Sequence, residues 1–205
     1  MRWGSIRPAL VGLFVITCTA TAQSQSSGSS RAMPTTGWAN APVGHSGFCR
    51  AYPGECVAAA TARPVNLDQE RWRQLVRINE QVNQAVAPVT DLERYGVEEM
   101  WILPTTEGDC EDYVLLKRRT LMEEGWPASA LLITVVFDEE GEGHAVLAAR
   151  TDRGDLILDN KASAIRVWHE TAYRYVKRQS EADPKRWVSI SDPRWTVGAA
   201  TASGR

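Results

Sequence analysis

Three side chains in this 205-residue chain have the types that acyl-transfer chemistry needs: Cys110, His144 and Asp159. A thiol attacks as the thiolate, so it requires a base within hydrogen-bond reach, and the base in turn requires an orienting group. Singly, each residue says little. An Asp before Asn160 is usually a turn cap, and a His at a strand start is usually exposed. Their significance depends on whether the local elements bring them together.

Asp109 has the chemistry of a helix N-cap, with Asp112 three residues on. Val114, Leu115, Leu121 and Met122 then share one face, and Gly125 followed by Pro127 ends the helix. Cys110 therefore belongs in a first turn, where free backbone N–H groups and the helix dipole favour a thiolate. Downstream, the apolar runs 131–137, 144–149 and 156–159 are separated by turns at Asp138–Gly143 and Thr151–Gly154. They predict an antiparallel meander behind the helix. His144 opens the second strand and Asp159 ends the third. If Thr151 pairs with Gly154, His144 falls opposite Lys161; a slip of two residues puts it opposite Asp159. Either register places both side chains on one face, because side chains alternate with period two.

Upstream, Asn66 or Asp68 caps a helix in which Trp72, Leu75, Val76, Val82 and Val86 recur at helical spacing, closed by Pro88. Asn79 and Asn83 lie on the same stripe. Buried amides need partners, so they are structural hydrogen-bonders or the lining of a site. Trp168, Ala172 and Tyr175 predict a helix within 162–179, and Trp187–Ile190 a last strand. His45 and His169 have no partners suggesting chemistry and are expected at the surface.

Arg2 and Arg7 precede an apolar run from Ala9 to Ala20, and Ala20-Thr21-Ala22 has the small-x-small form of a signal-peptidase site. Residues 1–22 thus read as a signal peptide of an exported protein. Residues 23–64 read as a flexible, irregular arm, 65–195 as the folded domain, and 196–205 as a loose tail. An oxidising compartment favours a Cys49–Cys56 disulfide across the Pro53-Gly54 turn, which leaves Cys110 as the odd thiol. An apolar fraction of 43% excludes global disorder, and a net charge of −2 without a basic block excludes nucleic-acid binding by bulk electrostatics.

Gly108-Asp109-Cys110-Glu111-Asp112-Tyr113, the following Lys117-Arg118, Gly143-His144-Ala145-Val146-Leu147 and Leu158-Asp159-Asn160 resemble the bacterial transglutaminase-like cysteine peptidases. Val82-Asn83, Asp91 and Tyr95–Trp101 look like that family too, so the likeness runs from about Asn66 to Lys161. The resemblance implies an α+β, papain-like and transglutaminase-like fold, with the nucleophile at a helix N-terminus packed on an antiparallel sheet. It assigns Cys110 as nucleophile, His144 as general base and Asp159 as orienter. Members of the LapG type are periplasmic proteases that cut a large surface adhesin in biofilm control, and a cyclic di-GMP-responsive inner-membrane receptor sequesters them.

The same resemblance implies calcium (Ca2+) held by Asp109 and Glu111, with Asp112 as an addition, and no organic cofactor. Three carboxylates around a thiol oppose its ionisation, and an oxygen-liganded cation reverses that sign. Two other readings keep the fold: a protein-glutamine acyltransferase passing the acyl group to an amine, and a binding module without turnover. A metal site built on Cys110, His144 and Asp159 is poor, because the set lacks paired ligand spacing. For the second oxyanion donor, beside the Cys110 N–H, Asn83 and Trp101 are both candidates.

Overall fold

The computed structural model describes Met1, residues 31–59 and 61–196. The expected signal peptide and most of the lead-in and tail lie outside the described residues. The frame is a sheet whose two inner strands are largely buried. Strand β4 (Leu131–Phe137) pairs antiparallel with β5 (Gly143–Thr151) from Leu131–Ala149 to Phe137–Gly143. Around them seven strands run in the order β1-β9-β8-β4-β5-β6-β7. Here β1 is Thr35–Ala39, β6 Gly154–Leu158, β7 Arg166–Val167, β8 Arg174–Gln179 and β9 Trp187–Ile190. A small parallel pair, β2 (Ala87–Pro88) with β3 (Glu107–Gly108), stands apart.

Both faces of the sheet are buried, which is why β5 reads as a continuous apolar run. Ala145, Leu147 and Ala149 face a core shared with the helices, whereas Val146 and Ala148 face Trp168, Tyr173 and Tyr175. The helical layer is α2 (Gln69–Ala85) and α4 (Cys110–Glu123). Asp68 caps α2 by accepting from the Arg71 N–H at 2.8 Å, and Leu75, Ile78, Asn79 and Val82 are buried at helical spacing. Trp72, expected on that stripe, is 39% exposed, and Ile78 takes the inner position instead. Helix α4 is buried on nearly all sides, down to Lys117 and Arg118. A short α3 (Asp91–Tyr95) leads from β2 towards β3, and α5 is Pro193–Thr196.

Two expectations are corrected. The helix predicted within 162–179 is instead β7, a 3₁₀ turn at Trp168–Glu170, and β8. The outer edge of β4 needs hydrogen-bond partners, and β8 supplies them along Thr134–Phe137. Tyr173 and Tyr175, two apart, then reach one cluster by strand alternation. The arm is not irregular throughout. It contains β1, which pairs with β9, and α1 (Val43–Ala51). Near the beginning of its described part, the Met33 N–H donates to Asp155 Oδ2 at 2.8 Å and ties it to the sheet.

The expected Cys49–Cys56 disulfide is present, with Cα atoms 5.6 Å apart. It joins α1 to the 3₁₀ turn Pro53–Cys56, whose Glu55 accepts from Arg118 at 3.0 Å and Arg119 at 2.8 Å. The bridge therefore holds the arm against α4. Replacing both cysteines by serine is expected to cost about 2 kcal/mol in urea unfolding, the loop-closure contribution of so short a loop. An unchanged midpoint would show that the bridge does not anchor the arm.

Candidate active site

The chain enters α4 through Gly108, where a Cβ would lie 2.6 Å from Asp112 Oδ2 and 2.7 Å from its Cβ. Only glycine lets the backbone pass so close to that side chain. Cys110 is the first residue of the helix, as expected. Asp109 occupies the N-cap position but makes no side-chain cap bond. Its carboxylate turns instead to accept from the Asp91 N–H at 3.3 Å.

The β5–β6 hairpin takes the first of the two registers, with Thr151 opposite Gly154 and Leu147 opposite Leu158. Asp159 lies one residue beyond β6 and reaches His144 diagonally, a separation long side chains span. His144 Nε2 and Asp159 Oδ1 are 2.8 Å apart, and both residues are buried. With Nε2 committed to Asp159, Nδ1 is the ring nitrogen left for a proton transfer. His144, Ala145, Cys110, Glu111 and Trp101 line one cleft of about 340 Å³.

Asp159 is held from every side. Burial pushes its carboxyl upward, but hydrogen bonds from His144, from the Tyr173 hydroxyl and from the Lys161 N–H outweigh this, leaving it below the usual carboxylate range. The Asp159 N–H donates to Asn79 Oδ1 at 3.1 Å, and Asn83 Nδ2 donates to the Asp159 carbonyl at 2.8 Å. Of the two roles open to these asparagines, they take the structural one. One of the two Asn83 amide N–H groups is used in this way, and Asn83 is not among the residues lining the Cys110 cleft. The Trp101 indole N–H is also engaged, donating to Glu99 Oε2 at 2.9 Å. The Cys110 backbone N–H remains the candidate. Tyr173 was missed because the helical reading of 162–179 hid its alternation with Tyr175. Lys117, on the same helix as Cys110, is fully buried with Nζ 5.8 Å from the Tyr113 ring; burial pulls it down to about 7, opposed by the Asp159 charge.

The thiol itself donates to Glu111 Oε2 at 3.2 Å rather than to His144. Burial, then the Glu111 carboxylate, pushes Cys110 well above the usual thiol range, although the Ala145 backbone N–H pulls the other way. The helix start therefore does not by itself make a thiolate here. Oxygens of Asp91, Asp109 and Glu111 lie within 4.8 Å of one another, close enough to share one ion. Asp91, not singled out as a ligand in the sequence, belongs to this group; the Asp112 carboxyl lies outside it, with Oδ1 accepting from the Ile102 N–H at 3.1 Å and Oδ2 buried without a hydrogen-bond partner. The reason is helical geometry, since Asp112 turns back beneath Gly108 while α3 brings Asp91 alongside Asp109. Burial, then the charge of Asp109, raises Glu111 to about 9; burial raises Asp112 to about 7.

His45, expected at the surface, is 1% exposed. It sits edge-on between the Trp101 and Trp187 rings and accepts from the Trp187 indole N–H at 3.3 Å. Burial, then Arg118, lowers its pKa to about 4. A neutral ring is what this apolar setting tolerates. His169 is half-buried against Trp168.

A carboxyl raised in the folded state stabilises fully below its unfolded pKa and loses that contribution as pH rises through the folded value. For Glu111 that window runs from about 4.5 to about 9. In chelator, the protein is expected to melt at progressively lower temperature across this range, and Glu111→Gln to flatten the decline. Parallel melting curves for the two proteins would contradict the burial of an ionisable Glu111.

Residues 35–195 match the family described as bacterial transglutaminase-like cysteine proteinase. No curated protein matches the chain at a significant level. Three solved structures of LapG from Legionella pneumophila are similar. The calcium-bound form has 28% identity over 52% of this chain and 64% of that one, with a TM-score of 0.47. The EGTA-treated form has 26% identity over 60% and 72%, with a TM-score of 0.48. A third has 27% identity over 64% and 74%, with a TM-score of 0.49. The chain thus spans just under two thirds of the length of the calcium-bound LapG.

Proposed function

Because the chain belongs to the bacterial transglutaminase-like cysteine proteinases, we propose that it is an exported endopeptidase using Cys110, His144 and Asp159. The observation that carries this reading is the buried His144–Asp159 pair, 2.8 Å apart, at a cleft that Cys110 also lines. His144 takes the thiol proton at Nδ1, and Asp159 stabilises the imidazolium through Nε2. The thiolate attacks the scissile carbonyl, and the Cys110 N–H at the helix start faces the developing oxyanion. His144 then returns the proton to the leaving amine, and water activated by the same ring hydrolyses the thioester. Before attack the thiol must leave Glu111 for His144, so the state of the acid cluster governs the first step.

Asp91, Asp109 and Glu111 fit a divalent cation. Three oxygen ligands converge, and Asp109 Oδ1 is buried with no hydrogen-bond partner. Calcium prefers such a set, and its charge would cancel the negative potential that opposes thiolate formation. The resemblance of the sequence to the LapG type, together with the N-terminal signal pattern, supports a periplasmic location and a large surface adhesin as substrate. A cyclic di-GMP-responsive inner-membrane receptor is the corresponding regulator.

Cys110→Ala is expected to abolish peptide cleavage and keep the wild-type melting temperature, because alanine is accepted at a helix start. Asp159→Asn should lower kcat by about a hundredfold or more through loss of imidazole orientation. Comparable cleavage by Cys110→Ala and wild type would refute the nucleophile. In iodoacetamide labelling followed by mass spectrometry, calcium should speed modification of Cys110, and EGTA should reverse the gain. Equal rates in calcium and EGTA would remove the cation from the reading.

A further inference from the structure

The arm is the part of the chain with no assigned part in the chemistry, yet its helix reaches the cleft. Pro42 and Val43, at the start of α1, line the same cavity as Cys110 and His144. Val43 is 85% exposed there, so its side chain supports nothing in the fold. The next residue, Gly44, is buried against the Trp101 indole, where a Cβ would overlap the ring, 2.8 Å from Cγ and Nε1. Glycine at 44 thus lets α1 lie directly on Trp101, and Trp101 forms the floor between the arm and the nucleophile.

Three contacts hold this wall in place, one of them made directly with α4. The Cys49–Cys56 bridge closes the end of α1, and Glu55 in that loop pairs with Arg118 and Arg119 on α4. His45, one residue past Gly44, is clasped between Trp101 and Trp187. A side chain entering beside Cys110 would meet Val43, Trp101, Val135 and Ala145; Glu99, which accepts from the Trp101 indole N–H, and Lys177, which donates to the Asn40 carbonyl, line the same cleft.

We propose that the start of α1 is a substrate-recognition wall, with Val43 a specificity-determining residue that receives an aliphatic side chain of the peptide beside the scissile bond. The inference rests on the endopeptidase reading above and adds the substrate's local chemistry to it. An aliphatic group between Val43 and Trp101 would bury apolar surface on a platform that is already rigid, so little ordering cost offsets the gain. The Val43 side chain itself offers a charged group no hydrogen-bond partner.

The test is positional scanning with a peptide library, using wild type and Val43→Glu in parallel, each with a melting curve. Wild type is expected to prefer aliphatic residues at one position next to the cleaved bond. Val43→Glu should melt as wild type does, raise KM for those peptides, lower kcat/KM about tenfold and shift the preference towards Lys and Arg. Gly44→Ala, which pushes Trp101 out of place, should blunt the same preference without introducing a charge. If wild type cleaves and both variants retain its preference, the recognition wall is overturned while the peptidase reading stands. If wild type cleaves no peptide under conditions that alkylate Cys110, the peptidase reading fails, and the wall falls with it.

Discussion

The hydrogen bond between His144 and Asp159 places a carboxylate where burial alone would protonate it. That penalty has to be met by the surrounding structure, and much of the fold can be understood as the means of meeting it. Tyr173 from the strand side, the Lys161 N–H and the imidazole all donate to its oxygens. Asn79 and Asn83 hold its backbone from α2. A helix, a hairpin and the segment leading into β8 therefore converge on a single side chain. This explains why two asparagines interrupt an otherwise apolar helical stripe.

A second constraint runs against the first turn of α4. The helix start should favour a thiolate, but the burial of Cys110, and then the carboxylates of Glu111 and Asp109, oppose it. Burial and these short-range charges prevail over the dipole, which is spread over the whole first turn and falls off quickly. The residues nearest the nucleophile thus suppress it when taken by themselves. The same oxygens form a site that a divalent cation fits, so suppression and activation are two states of one cluster.

The arm supplies what the central sheet lacks. Without β1, the β9 edge would be open, and without α1 the cleft would lack the Pro42 and Val43 part of its lining. A short covalent bridge and one glutamate shared by two arginines fix it to the nucleophile helix. The arm's position is consequently referenced to α4, so substrate contacts made on it are registered against Cys110.

Several features were determined by the chain locally. The helix with Cys110 at its start, the β4–β5–β6 meander and the disulfide follow from turn residues, β-branched runs and cysteine spacing, all short-range signals. The motifs around Cys110, His144 and Asp159 also carried the family. Other features were decided only by tertiary contact. Residues 162–179 fit a helical period, yet the unpaired edge of β4 drew them into a strand, and Tyr173 came with them. Asp91 joined the acid cluster because α3 folds back beside Asp109, a juxtaposition between residues distant in sequence. His45 became buried because the Trp101 and Trp187 rings and the Gln179 side-chain amide, from separate elements, close around it. In each case the deciding term was a long-range demand, a hydrogen bond or buried surface to be satisfied, and a local pattern contains no record of the partner that will satisfy it.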